Sequence, residues 1–451
     1  MDFKLVRGLT LEEAINIAYD DDNVQDIYIE PPEQGFVTDE DSGEEDAGGL
    51  IDNLSGSQLR SQAELKIITT TAGNEDEMLE ERETEITPTV ASPSVWVDGD
   101  LVQNGRAFVS GDYSKYRNQS CVELFEMYLD NETIDYLIKE TTRYALFKNC
   151  ADPAITKNEL KCFLGILILS GYNQVPSKRH YWENNGDMKN ELVRNSMRRN
   201  RFLEIMRFIH CADNTTPQVQ DKVWKLRPLM DLVKNKCLKY FEPEECLNYD
   251  ESMVKYFGRH SCKQFIRGKP IRFGYKMWCL NTPDGYLVNF DMYQGNNPRR
   301  HMEYERCFGK SSAPFLQMLD ELPIEKKQYP YKLYFENLFT GFAMLKHLKE
   351  RGYDGTGTIL SWMDNSVVTI ASTCHGVAPI GQVQRYSQTE KRIVNVGRPN
   401  LIQQYNSYMG GTDRMDENIA AYRIGIRGKK WWWCLFLVDV SVHNAWQIYR
   451  K

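Results

Sequence analysis

No run in this 451-residue sequence reaches the ~18 consecutive apolar residues of a membrane-crossing helix; the richest, Cys162–Ser170 and Trp431–Val438, stop well short. The opening MDFKLVRGLTLEEA has no apolar signal-peptide core. The 11 cysteines are scattered, odd in number and include no C-x-x-C pair, which argues against both a disulfide framework and a zinc ribbon. They read as reduced, mostly buried thiols of a soluble intracellular chain. Positive charge is scarce in the first 100 residues, with 5 Lys+Arg against 26 Asp+Glu. The net charge of −8 therefore conceals a body, residues 101–451, with 50 basic and 37 acidic side chains. That body, at +13, is the part suited to nucleic acid. With 41% hydrophobic and 12% aromatic residues, the chain has ample material for a core.

Thr10-Leu-Glu-Glu13 has capping-box spacing and is followed by Ala14, Ile15, Ile17 and Ala18, which predicts a short helix. From Asp20 to about Asp100 the chain is rich in Asp, Glu, Gly, Ser and Thr. Such composition buries too little apolar surface to offset ordering entropy, so residues 1–105 are expected to form an acidic, mostly disordered tail. Leu124, Phe125, Tyr128, Leu129, Ile134, Leu137 and Ile138 then recur at three and four, a helical period. Asn158–Ser170, Met188–Met197, Arg201–His210 and Pro228–Tyr240 continue it, predicting an all-helical region over 106–245. Arg194, Arg198, Arg199, Arg201 and Arg207 make part of it basic.

After Glu242 the pattern turns to strands. Leu247–Val254, Phe273–Leu280 and Tyr286–Tyr293 are aromatic and β-branched, and Asn281-Thr-Pro-Asp-Gly285 predicts a hairpin between the last two. Ala313–Leu322 and Thr340–Glu350 read as helices, and Lys332–Phe335, Thr356–Ile359 and Val367–Thr373 as strands. Pro399–Met409, Asp413–Tyr422 and Trp431–Tyr449 are helical. Three antiparallel strands followed by alternating strand and helix is the order of an RNase H-like α/β core, expected over 246–415, with residues 416–451 returning to the helical region.

Three carboxylates fall where such a core displays them. Asp250 lies inside the apolar strand LNYDESMV, Glu336 ends KLYFE, and Asp413 opens a helix with Asp416 one turn on. An acid within an apolar strand is costly unless it is paired or binds a metal. Two Mg²⁺ ions held by such acids would suit phosphodiester cleavage and transfer; helix caps or solvated strand ends are the plainer reading. The stretch Gly258–Lys276 interleaves Arg259, Lys263, Arg267, Lys269, Arg272 and Lys276 with Phe265, Phe273 and Tyr275, a composition suited to DNA phosphates or to a solvated hairpin face. Arg427, Lys429 and Lys430 repeat the theme before three tryptophans. Asp291 stands in the third strand with no evident role.

The strings YDESMVKYFGRHSCKQFIRGKPIRFGYKMWC, FENLFTG, YNSYMGGTDRMDENIAAYR and IRGKKWW resemble those of piggyBac transposase-derived proteins. PPEQGFVTDEDSGEEDAGGLIDNLSGS is similar to the acidic tail of the vertebrate-type members. The resemblance implies a DDE/DDD-type catalytic core, a helical dimerisation and DNA-binding domain, duplex DNA as partner, Mg²⁺ or Mn²⁺ as cofactor, a homodimer and a nuclear location. It matches the catalytic and metal-binding acids to Asp250, Glu336 and Asp413, with Asp416 as an auxiliary ligand. Three departures stand out. The family pattern has Asp where Glu336 stands; the family's inserted lobe is missing near 357–362; and the sequence stops at Lys451 without a cysteine-rich module, so no zinc is expected. A membrane role and a small-molecule cofactor are not expected either. The expectation is a domesticated or degenerate DNA-binding protein with an impaired two-metal centre. The alternatives are an active cut-and-paste transposase and a truncated, non-enzymatic interaction protein.

Overall fold

The turn residues at Asn281–Gly285 place the first landmark. Gly285 takes φ +101° and its amide donates to Thr282 O, closing the hairpin that the composition predicts. In the computed structural model, the described residues are 2–20, 24–29, 62–69, 99–101, 106–255 except 185 and 187, 262–265, 271, 273–358, 370–387, 391–426 and 432–451.

The chain opens with β1 (Asp2–Thr10), α1 (Leu11–Asp20), β2 (Val24–Ile29) and β3 (Gln62–Thr69), and the three strands pair in the order β1-β3-β2. The capping box is present: Thr10 N donates to Glu13 Oε2 at 2.8 Å and Glu13 N to Thr10 Oγ1 at 3.2 Å. The expectation of disorder from Asp20 onward is corrected at β2 and β3. Acidic composition averaged over 80 residues hid two short apolar runs; Ile27 and Ala63 are buried, as are Leu11 and Ala14 of α1, which packs on both strands. Apart from residues 99–101, the remainder of that predicted disorder lies outside the described residues.

Between Cys121 and Tyr240 every described α-helix or strand is helical: α2 (Cys121–Glu126), α3 (Asn131–Phe147), α4 (Lys157–Tyr172), α5 (Glu191–Ser196), α6 (Arg199–Phe208) and α7 (Arg227–Tyr240). Capping boxes at Ser120/Glu123 and Thr156/Glu159 start α2 and α4. Arg201 donates to Glu159 at 2.7 Å and to Glu204 at 2.8 Å, so this member of the basic cluster fastens helix to helix.

Next come β4 (Cys246–Lys255), β5 (Lys263–Phe265), β6 (Phe273–Asn281), β7 (Leu287–Met292), α8 (Met302–Phe308), α9 (Ala313–Asp320), α10 (Ile324–Lys327), β8 (Lys332–Phe335), α11 (Phe342–Glu350), β9 (Asp354–Thr358) and β10 (Ile370–Ser372). The sheet runs β10-β9-β8-β4-β6-β5, with β7 also on β6. β6 is antiparallel to both β4 and β7, while β8 pairs parallel to β4 and β9 parallel to β8. This is the mixed order expected from the alternation of elements. A separate ribbon, β11 (Gly381–Ser387) and β12 (Arg392–Arg398), was not anticipated. Then α12 (Asn400–Tyr408), α13 (Gly411–Tyr422) and α14 (Trp432–Arg450) complete the chain.

α14 packs on α2 and α7, so the last helix returns to the helical layer. One hydrophobic core is continuous through helices and sheet. At its centre the Tyr128 hydroxyl donates to Tyr286 Oη at 3.0 Å, which in turn donates to Cys237 O at 2.9 Å. Asn444 of α14 acts as a strand partner, accepting from Leu287 N and donating to Leu287 O, both at 2.9 Å. Asp291, unexplained from sequence, accepts from Arg227 of α7 at 2.8 Å, and Arg227 also binds Asp221 at 2.8 Å.

Asp439 in α14 is buried, and loss of hydration pushes its carboxyl up to about 7 although Arg423 and the Ile424 amide favour its charge. An acid whose folded pKa is raised loses stability as pH climbs from its unfolded value, near 4, to its folded one. Asp439→Asn is therefore expected to match wild type in melting temperature near pH 4 and to exceed it progressively up to pH 7, with a plateau above. Parallel melting curves across that range would contradict this.

Candidate active site

β4 alternates its side chains between two faces, so Asn248, Asp250 and Ser252 share one face. Asp250 is 3% exposed, and its Oδ1 accepts from Glu251 N at 2.8 Å. β8 pairs with β4 up to Tyr249↔Phe335, which sets Glu336, the next residue after β8, beside Asp250. Glu336 is half-buried and leads into a 3₁₀ turn closed by Thr340 Oγ1 donating to Glu336 O at 2.8 Å.

α13 brings in the other two acids and is fixed across the polar face of β4 at two points. Thr412 N donates to Asn248 Oδ1 at 3.2 Å, and the Ser252 hydroxyl donates to Asp416 Oδ1 at 2.6 Å. Asn281 joins the first latch, its Oδ1 accepting from the Thr412 hydroxyl at 3.0 Å. Asp413 lies between the two latches and is exposed.

Tyr405 of α12 feels three of the four acids. Its hydroxyl is held well above the usual tyrosine range, first by burial and then by the negative charges of Glu336, Asp250 and Asp413. Three of the four acids named from the sequence thus act on one phenol. Their oxygens are hard donors of the kind Mg²⁺ takes. Yet among the described residues no three carboxylate, histidine or cysteine side chains lie near enough to hold one ion. As arranged, the acids do not fit a ready metal site.

Asn248, Ser252, Thr412 and Tyr405 were not singled out from the sequence. The signal was present in N-x-D-x-S on β4 and T-D-x-x-D on α13, two polar repeats at strand and helix spacing. Of the basic residues expected to face DNA, Lys276 is turned inward. It is 4% exposed, 3.7 Å from Glu251 and stacked 4.2 Å over the Trp278 ring. Its place on β6 opposite β4 puts it on the buried sheet, where a lysine needs an acid and an aromatic face. Lys263 stands in β5. Arg259, Arg267, Lys269, Arg272, Arg427, Lys429 and Lys430 lie outside the described residues, as does the junction at 359–362.

Comparison with known proteins agrees with this fold. The family model for Transposase IS4 matches residues 120–361 and 358–446. The chain is 38% identical over 508 aligned residues to human PiggyBac transposable element-derived protein 3, covering 98% of this chain and 84% of that protein. It is also 38% identical over 511 residues to the human chimeric ERCC6-PGBD3 protein, covering 99% of this chain but 48% of the chimera, so it spans about half of that relative. Among solved structures it resembles the cryo-EM structure of a piggyBac transposase synaptic complex with hairpin DNA, at TM-score 0.58 and 17% identity over 76% of this chain and 77% of that one. The mixed sheet with its helices is a transposase fold. The chain belongs to the piggyBac-type Transposase IS4 family, among the piggyBac transposable element-derived proteins. Among the described residues no helix is long and apolar enough to cross a membrane.

Proposed function

We propose that this is a piggyBac transposase-derived DNA-binding protein, acting in the nucleus as a homodimer, whose cleavage and strand-transfer centre at Asp250, Glu336, Asp413 and Asp416 is impaired. The observation that carries the reading is the placement of Asp250 and Glu336 side by side through β4 and β8, with α13 latched across them. The similarity to proteins of transposase descent, one of them solved with hairpin DNA, supports duplex DNA as the partner.

Two features support impairment. Glu336 carries one methylene more than the Asp of the family pattern, which displaces the carboxylate by roughly 1 Å, and misplacement on that scale costs about 100-fold in rate. The family match also falls into two blocks meeting at 358–361, and alignment with the human relative runs to 508 positions against 451 residues here. Both support loss of an internal lobe between β9 and β10. The DNA-facing surface then comprises Arg259, Lys263, Arg267, Lys269, Arg272, Arg427, Lys429 and Lys430, with Lys276 excluded because it is buried. Mg²⁺ or Mn²⁺ is the ion expected at the acids in a competent arrangement.

DNA binding is tested by anisotropy of a labelled duplex in a salt titration. The logarithm of affinity should fall linearly with the logarithm of salt, with a slope of about −0.9 per phosphate contacted. Absence of binding at low salt would confine the protein to interactions with other proteins.

A further inference from the structure

β11 and β12 belong to neither of the other sheets. Seven opposed pairs join them, from Gly381↔Arg398 to Ser387↔Arg392, giving a ribbon roughly 20 Å long. Directly opposed residues share a face. Gln382, Gln384 and Tyr386 therefore stand with Gly397, Asn395 and Ile393 on one face, and all six are exposed. Tyr386 and Ile393, a cross-strand pair, are 64% and 65% exposed. An isolated two-stranded hairpin is marginal in water, so a face of amides and apolar groups turned to solvent calls for a partner. The segment 381–398 carries Arg385, Lys391, Arg392 and Arg398 against one acid, Glu390, so its net positive charge points to a polyanion as the complementary partner.

The ribbon is firmly rooted beside the carboxylate site. The Asp100 carboxylate accepts from Val377 N at 2.7 Å and Ala378 N at 2.8 Å, and Asn400 N donates to Val377 O at 3.0 Å. β12 runs through Pro399 into α12, where Tyr405 lies roughly 8 Å along the axis from the start of the helix.

We propose that the β11–β12 ribbon enters the major groove of a duplex held at the carboxylate site, with Gln384 and Asn395 reading base edges and Arg392 and Arg398 contacting phosphates. This rests on the DNA-binding reading above. The major groove is about 12 Å wide and admits a two-stranded ribbon, and Gln and Asn amides pair bidentately with adenine while apolar groups meet the thymine methyl.

The test uses the full chain and a pool of short duplexes with a randomised core. Wild type should enrich particular sequences. Gln384→Ala combined with Asn395→Ala should lower affinity for the enriched duplexes about tenfold or more and leave affinity for unenriched ones unchanged. Arg392→Gln should weaken both alike and reduce the log–log salt slope by about one. Melting temperature checks folding, and Gln384→Asn supplies a second, milder variant. The proposal is overturned if wild type binds duplexes without enriching any, or if the variants keep wild-type affinity and slope. It is equally overturned if the variants change the sedimenting mass rather than DNA binding, which would make the ribbon a protein-binding surface. Absence of any duplex binding by wild type would instead defeat the underlying DNA reading.

Discussion

Gly411→Ala is expected to destabilise the protein by about 3 kcal/mol or more and to dislodge both helical acids of the site. A Cβ at this position would stand 2.2 Å from Asn248 Nδ2 and 2.2 Å from Thr282 O, the second a backbone atom that cannot swing aside. Helix propensity alone favours alanine over glycine by up to about 1 kcal/mol, so the two effects oppose and the overlap decides the sign. Relief requires α13 to lift from β4, which stretches the Thr412–Asn248 and Ser252–Asp416 bonds together. A urea titration reads the loss as a lower midpoint at unchanged slope. A midpoint equal to or above that of wild type would mean that α13 is not pressed against the strand.

Arg227→Met should cost about 3–5 kcal/mol, because it leaves two carboxylates in the core without their cation. The guanidinium side chain is 5% exposed, against 3% for Asp221 and 17% for Asp291. Burial works to raise the Asp221 pKa, but the hydrogen bonds and charge of Arg227 outweigh it and hold the carboxyl below its usual value. A depressed acid contributes stability that is full above its unfolded pKa and is lost as pH falls through its folded one. The gap between wild type and variant should therefore be widest at neutral pH and narrow below about pH 4. A constant gap down to the acid limit would place the cost in lost packing rather than in the ion group. Replacing all three residues with apolar ones of similar volume should recover much of the loss, since a buried ion group is more costly to break than to replace.

Period and turn chemistry made most of the core legible. β4, β6, β7 and β8 are short apolar runs bounded by turn residues, and the helices repeat at three and four. The acids were visible because a charge inside LNYDESMV or at the end of KLYFE interrupts an apolar pattern. What remained hidden depends on contacts between distant segments. Asn248 and Ser252 look like ordinary strand polars until α13 crosses them, and Lys276 reads as a surface base until β6 is placed beside β4. Asp291 gained a role only when Arg227, 64 residues earlier, came within 2.8 Å. β2 and β3 were lost in the surrounding acidic composition, since a strand of six to eight residues cannot outweigh an 80-residue average. The β11–β12 ribbon escaped notice because its outward face carries Gln, Asn and Gly, and alternation with a polar face toward solvent on both strands is a weak signal.

The most direct measurement is strand cleavage by the purified full chain on duplex DNA in Mg²⁺ and in Mn²⁺, run beside Asp250→Asn and Glu336→Asp. With DNA binding established in the same samples, wild type should yield no product above the Asp250→Asn background, and on the proposed loss of an internal lobe Glu336→Asp should restore at most a small part of the activity. Asp250-dependent cleavage by the wild-type protein would contradict the impairment and show a working transposase centre.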